Sequence, residues 1–159
     1  MFQVGEYVVH PMHGAGVIDS IVQEKIAGST QDYYVFRMNE NGLQLKIPTA
    51  NSQAIGIRAV ITPEEAEALI EAIPSLQAET NSNWNKRYQE NMERLKSGDL
   101  YQVAAVIKSL MRRESRRGLS TGERKMLHTA KQILISEVVL TQHADYAAVE
   151  ARIDCAVKQ

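Results

Sequence analysis

A chain of 159 residues has room for one domain or two small ones. Its apolar fraction of 44% suits a folded protein, no run is long enough to span a membrane, and a single cysteine excludes an internal disulfide framework. The formal net charge of −1 argues against a chain that is basic throughout, but it hides an asymmetry. Residues 1–75 hold four Lys/Arg against nine Asp/Glu, a balance of −5, and residues 76–159 hold fourteen against ten, a balance of +4. Between Lys86 and Lys131 twelve basic residues face five acidic ones, a balance of +7. An acidic first part and a basic middle suggest two units with different partners. The opening run from Met1 to Glu6 lacks the basic and apolar regions of a signal peptide, so a cytoplasmic location is expected.

Residues 7–9, 16–22, 33–38 and 43–47 are short runs rich in β-branched and aromatic side chains, and residues 55–60 offer a fifth. Turn residues separate them: Pro11 to Gly16, Gly28-Ser29, and Asn39 to Gly42, where Asn41-Gly42 suits a hairpin because both tolerate positive φ. Five short strands within about sixty residues bury their apolar faces only by curling into a small barrel or a strongly bent sheet.

From Thr62 the period becomes helical. Thr62 can cap, Pro63 fits a first turn, and Glu64, Glu65 and Glu67 favour the helix dipole. This helix ends near Pro74, and residues 75–83 read as a polar linker. A second helix runs from Trp84 to about Lys96, with Gly98 as its stop. Asp99 caps a third, apolar at Leu100, Val103, Ile107 and Leu110, which Gly118 ends. Ser120 and Glu123 form a capping box for a fourth, and Asp145 caps the last, where Cys155 reads as a small core residue. The fold class is therefore α+β. A β domain over residues 1–61 precedes a linking helix and linker over 62–83, and a compact bundle of four helices fills 84–159.

Trp84 is the only tryptophan, and Lys86 and Arg87 stand beside it. Cations that hold phosphates next to a large flat ring can form a wedge into nucleic acid; a core aromatic with solvated neighbours is the alternative. Lys108, Arg112 and Arg116 share a helical face, with Arg113 and Arg117 alongside. Arg124 and Lys125 sit in the first turn of a helix, where the dipole disfavours cations but free N–H groups and positive charge together receive a phosphate. A solvated face with local Glu114 and Glu123 pairs is the competing reading.

Catalytic chemistry finds no constellation. His10 and His13 have a spacing that a metal can use, but two ligands do not make a zinc site, and the segment between them reads as a turn. There is no Gly-x-Ser-x-Gly and no phosphate loop of the Gly-x-x-x-x-Gly-Lys-Ser/Thr type. No catalytic residue, metal or cofactor is assigned, and a non-enzymatic protein is expected.

The chain resembles the CarD-like (CdnL) bacterial transcription regulators over essentially its whole length. The resemblance rests on Val4-Gly5-Glu6-x-Val8-Val9-His10-Pro11-x-His13-Gly14, Ile47-Pro48, Asn83-Trp84-x-Lys86-Arg87-Tyr88 with Ser97-Gly98-Asp99, and the run from Gly118 to Leu127. The first motif also looks like the polymerase-binding module of transcription-repair coupling factors, large translocases whose nucleotide-binding loop is missing here. The resemblance implies a Tudor-like β-barrel that docks on the protrusion of the RNA polymerase β subunit, with Val35, Lys46 and Pro48 at contact positions. Lys46 stands where some relatives carry Arg or Met, and Glu24 where some carry Arg, so that contact is expected to differ in detail. It also implies a helical domain on promoter DNA at the upstream edge of the melted −10 region. There Trp84 would be a minor-groove wedge, with Lys86, Arg87, Arg124 and Lys125 as its basic companions. A monomer that stabilises the open promoter complex is the expectation. An adaptor of the transcription machinery without DNA contact is the alternative.

Overall fold

The structure, a computed structural model, describes residues 1–78 and 81–159. Five strands, β1 (Tyr7–His10), β2 (Gly14–Ile26), β3 (Ser29–Met38), β4 (Gln44–Pro48) and β5 (Arg58–Ala59), form one antiparallel sheet in the order β4-β3-β2-β1-β5. The long β2 shifts register between Ile18 and Ser20, and this bulge bends the sheet. Its concave side buries Val8, Ile18, Tyr34, Phe36, Met38, Ile47 and Ile57. The bent-sheet expectation is met, with β4 and β5 left as edges.

Three local features differ from the sequence reading. The β2–β3 hairpin runs well past Val22 and turns at Ala27 and Gly28, with φ of 53° and 83°. Two successive positive φ values match the right-handed strand twist, and this overrides the poor fit of an alanine there. The β3–β4 connection is a wider loop, in which Leu43 N–H donates to Asn41 Oδ1 and only Gly42 has positive φ. The fifth run is mostly not a strand. A short helix α1 (Ser52–Ile55) ends on left-handed Gly56, φ 98°, and only Arg58–Ala59 pairs with β1.

The helical part comprises α2 (Pro63–Ala72), α3 (Trp84–Lys96), α4 (Leu100–Arg117), α5 (Thr121–Gln142) and α6 (Tyr146–Lys158). Their starts are capped by Thr62, Asn83, Asp99, Ser120 and Asp145, each accepting a backbone N–H of the first turn. The helix that reads as a linking element, α2, places Ala66, Leu69 and Ile70 in the same core as Leu110, Leu134 and Ile153. The predicted linker lies partly outside the described residues, which omit positions 79 and 80. Cys155 is exposed, not core: Ile153, Ala156 and Val157 turn inward, and the helical period carries position 155 to the solvent side.

Sheet and bundle meet along β2, β5 and α5. Ala15 N–H donates to Ser136 Oγ at 3.0 Å. Gly14, at φ 83°, lies against the backbone of Gln132 and Ile133, so both its conformation and its lack of a side chain are required. Glu137, fully buried, accepts two hydrogen bonds of 2.8 Å from the Arg58 guanidinium and one of 2.8 Å from Ile61 N–H. Thr141 Oγ1 donates to Ile61 O at 2.6 Å. These polar clamps fix the sheet to the longest helix of the bundle.

Candidate functional site

The first turn of α3 places Trp84, Arg87 and Tyr88 at i, i+3 and i+4, so they share one side of the helix. Trp84 is 44% exposed, which removes the core reading for its ring. One face of the indole stacks on Tyr88, with centroids 5.1 Å apart and planes 19° from parallel. Its Nε1–H donates to Ser120 Oγ at 3.3 Å, the side chain that caps α5. Trp84 is thus half-covered by protein and half-presented to solvent, at a place where the N-terminal ends of α3 and α5 come together.

The basic residues divide into two kinds. Lys86, Arg124 and Lys125 are exposed, and the last two lie on the first turn of the helix whose cap holds Trp84. Arg87 is different, and its assignment as a phosphate contact is corrected. It is 1% exposed; its Nε donates to Glu123 at 3.0 Å and its Nη1 to the carbonyls of Asn81 and Ser82 at 3.2 Å. Arg87, Asn91 and Leu95 form the buried stripe of α3, so the helical period turns this cation inward. Burial pushes the Glu123 carboxyl up, but the hydrogen bond and charge of Arg87, with Ser120, hold it below the usual range overall.

Lys108 likewise leaves the basic face on which the sequence places it. It is buried, and its Nζ donates to the carbonyls of Ile73, Pro74 and Leu76 at 2.8, 2.8 and 2.9 Å. Burial, then the nearby charge of Arg112, lowers its pKa. It ties the end of the α2 segment to α4. Arg112, Arg116 and Arg117 remain exposed and, with Arg113, line a groove of about 710 Å³ beside Asn81 and Ser82. Among the described residues no carboxylate lies within ion-pair distance of Arg112, Arg116 or Arg117.

A second surface lies on the outer side of the sheet. β3 and β4 place Val35 opposite Lys46 and Tyr33 opposite Pro48, so all four share one face. Val35 and Pro48 are half-buried and Lys46 is exposed, paired with Glu24 of β2. The structure therefore brings Val35, Lys46 and Pro48 together beside the β4 edge. It also gives Glu24 a task, since it neutralises the lysine that the sequence reading flags. Pro48 and the charge of Lys46 suit an edge strand.

The His10–His13 pair is a turn. His10 Nδ1 accepts from Met12 N–H at 3.1 Å, and the two imidazoles lie 4.6 Å apart. Burial, then the charge of His13, lowers the His10 pKa to about 4. No group of three or more His, Cys, Asp or Glu able to hold a metal occurs among the described residues. Among the same residues no helix is long and apolar enough to cross a membrane.

Sequence reasoning misses the parts of Ser120, Glu123 and Tyr88 around the ring. Ser120 and Glu123 are legible as a capping box, and Tyr88 as the i+4 neighbour of Trp84. That the two features meet depends on how α3 packs on α5.

Residues 2–61 match the family described as CarD-like/TRCF RID domain, and residues 68–154 match CarD, C-terminal domain. A putative transcription factor of Bacillus subtilis, YdeB, is 33% identical over 138 residues, covering 87% of this chain and 90% of that protein. The solution structure of the N-terminal domain of Myxococcus xanthus CarD is 29% identical, covering 37% of this chain and 79% of that domain, with a TM-score of 0.33.

Proposed function

The chain belongs to the CarD family of transcription regulators, and from that premise we propose that it docks on RNA polymerase and stabilises the open promoter complex. The β domain meets the protrusion of the polymerase β subunit through Val35, Lys46 and Pro48. The bundle contacts promoter DNA at the upstream edge of the −10 region through Trp84, Lys86, Arg124 and Lys125. The observation that carries this reading is the half-exposed ring of Trp84, with exposed cations on the first turns of the two helices that hold it. No reaction is needed. The ring favours melted over closed DNA because unstacking costs less at a junction that is already opening, and it shifts the equilibrium only by its differential affinity for the two states. The cations supply sequence-independent affinity that falls with salt.

The alternative, an adaptor with a core tryptophan, is disfavoured by the 44% exposure of Trp84. Two substitutions separate the roles. Lys46→Glu should abolish polymerase binding and, with it, any effect on promoter opening. Trp84→Ala should keep polymerase binding and lose the promoter effect. If both variants lose polymerase binding, or neither changes promoter opening, the division of labour is wrong.

A further inference from the structure

We infer that Ser120, Glu123 and Arg87 are positioning residues for Trp84, forming a closed hydrogen-bonded circuit that presets the ring before it meets DNA. This inference rests on the wedge reading above. A tryptophan on the first turn of a helix has two side-chain torsions, and stacking on Tyr88 covers one face of the ring without fixing both. Here the circuit settles them. The Ser120 hydroxyl accepts from Trp84 Nε1–H at 3.3 Å and from Glu123 N–H at 3.2 Å, and donates to Glu123 Oε1 at 3.2 Å. A hydroxyl offers one donor and two acceptor sites, so all three are in use. The other oxygen of Glu123 accepts from Arg87 Nε at 3.0 Å, and one turn of α3 leads from Arg87 back to Trp84.

The circuit lies between two helix starts, and Arg87 and Glu123 are both buried. Arg87 also holds the carbonyls of Asn81 and Ser82, which fixes the approach to the Asn83 cap. Trp84 is thereby referenced to α5, the helix that also carries Arg124, Lys125 and, at its other end, the Glu137 clamp to the sheet. A ring held in one pose loses less entropy on binding than a free one, and its hold on the bubble edge is correspondingly stronger.

The test uses the full chain with Ser120→Gly. Glycine caps a helix almost as well as serine, so the fold is kept while the indole loses its acceptor. Two quantities are read: hydrogen exchange of the Trp84 indole N–H in the free protein, and open-complex lifetime with the cognate polymerase. Exchange should be about three- to tenfold faster, and lifetime shorter by a similar factor, as the loss of one hydrogen bond implies. Polymerase affinity should not change, and Ser120→Thr, which restores a hydroxyl, should recover both quantities. Glu123→Gln keeps the capping box but removes the charge that fixes Arg87, and should move both in the same direction by less. Unchanged indole exchange in both Ser120→Gly and Glu123→Gln overturns the inference. So does a lifetime that Trp84→Ala shortens and Ser120→Gly does not, with the wedge left standing. A lifetime that Trp84→Ala fails to shorten removes the wedge itself, and the inference with it.

Discussion

Arg58 of β5 and Glu137 of α5 are joined by two parallel hydrogen bonds of 2.8 Å across the boundary between sheet and bundle. The carboxylate is wholly buried and the guanidinium partly so. A bidentate pair of this kind holds orientation as well as distance. The surface that bears Val35, Lys46 and Pro48 and the end of the bundle that bears Trp84 are therefore parts of one rigid frame. Under the proposed function, a polymerase docked on the first would find the second at a set position, instead of on a loose tether.

Glu137→Ala should destabilise the protein by about 3 kcal/mol, since it leaves Arg58 unpaired and Ile61 N–H without an acceptor. Chemical denaturation measures this. A double-mutant cycle with Arg58→Ala should show that the two losses are not additive.

Arg87→Ala should cost about 3–5 kcal/mol, because Glu123 stays buried with its main charge partner gone. Lys86→Ala, one position away and exposed, should stay within about 0.5 kcal/mol. Thermal unfolding of the two variants checks this directly. Equal, small effects would return Arg87 to the surface and to the phosphates.

Replacing Arg124 and Lys125 together by Ala should weaken promoter binding and reduce the slope of log affinity against log salt by about 2, one for each phosphate that the two side chains neutralise. An unchanged slope would count against both cations as phosphate ligands.

His10 gives the protein an acid sensitivity. Its folded pKa is lowered from 6.5 to about 4, because burial, then the nearby charge of His13, disfavours the protonated ring. Between those values the unfolded chain binds the proton and the folded one does not. Stability is thus full above about pH 6.5 and falls as pH drops to about 4. After allowance for partial exposure the loss is about 1–2 kcal/mol. His10→Asn can keep the bond to Met12 N–H as an Asx turn but cannot titrate. Its denaturation midpoint should be flat from pH 6.5 to 4.5, where the wild type declines.

Much of this frame is readable from local chemistry. Thr62, Asp99, Ser120 and Asp145 announce helix starts because a short polar side chain can accept a backbone N–H, and Gly118 ends α4 at φ 77°. The bent sheet follows from too many short strands for a flat one. Arg87 and Lys108 are misplaced by the sequence for one reason: a cation is exposed by default, and only tertiary packing supplies the carboxylate or carbonyls that let it be buried. The fifth strand fails because Gly56 caps a short helix, a role that residues 55–60 alone do not distinguish from a bulge. Ring and cap come together only through the packing of α3 on α5, which no spacing in one dimension records.

The lifetime of the open promoter complex, measured by competitor challenge with the cognate polymerase saturated by the protein, tests the central claim most directly. Wild-type protein should lengthen it, and Trp84→Ala, bound to polymerase to the same extent, should not. Equal lifetimes with and without the ring would contradict the wedge, whatever the basic residues around it do.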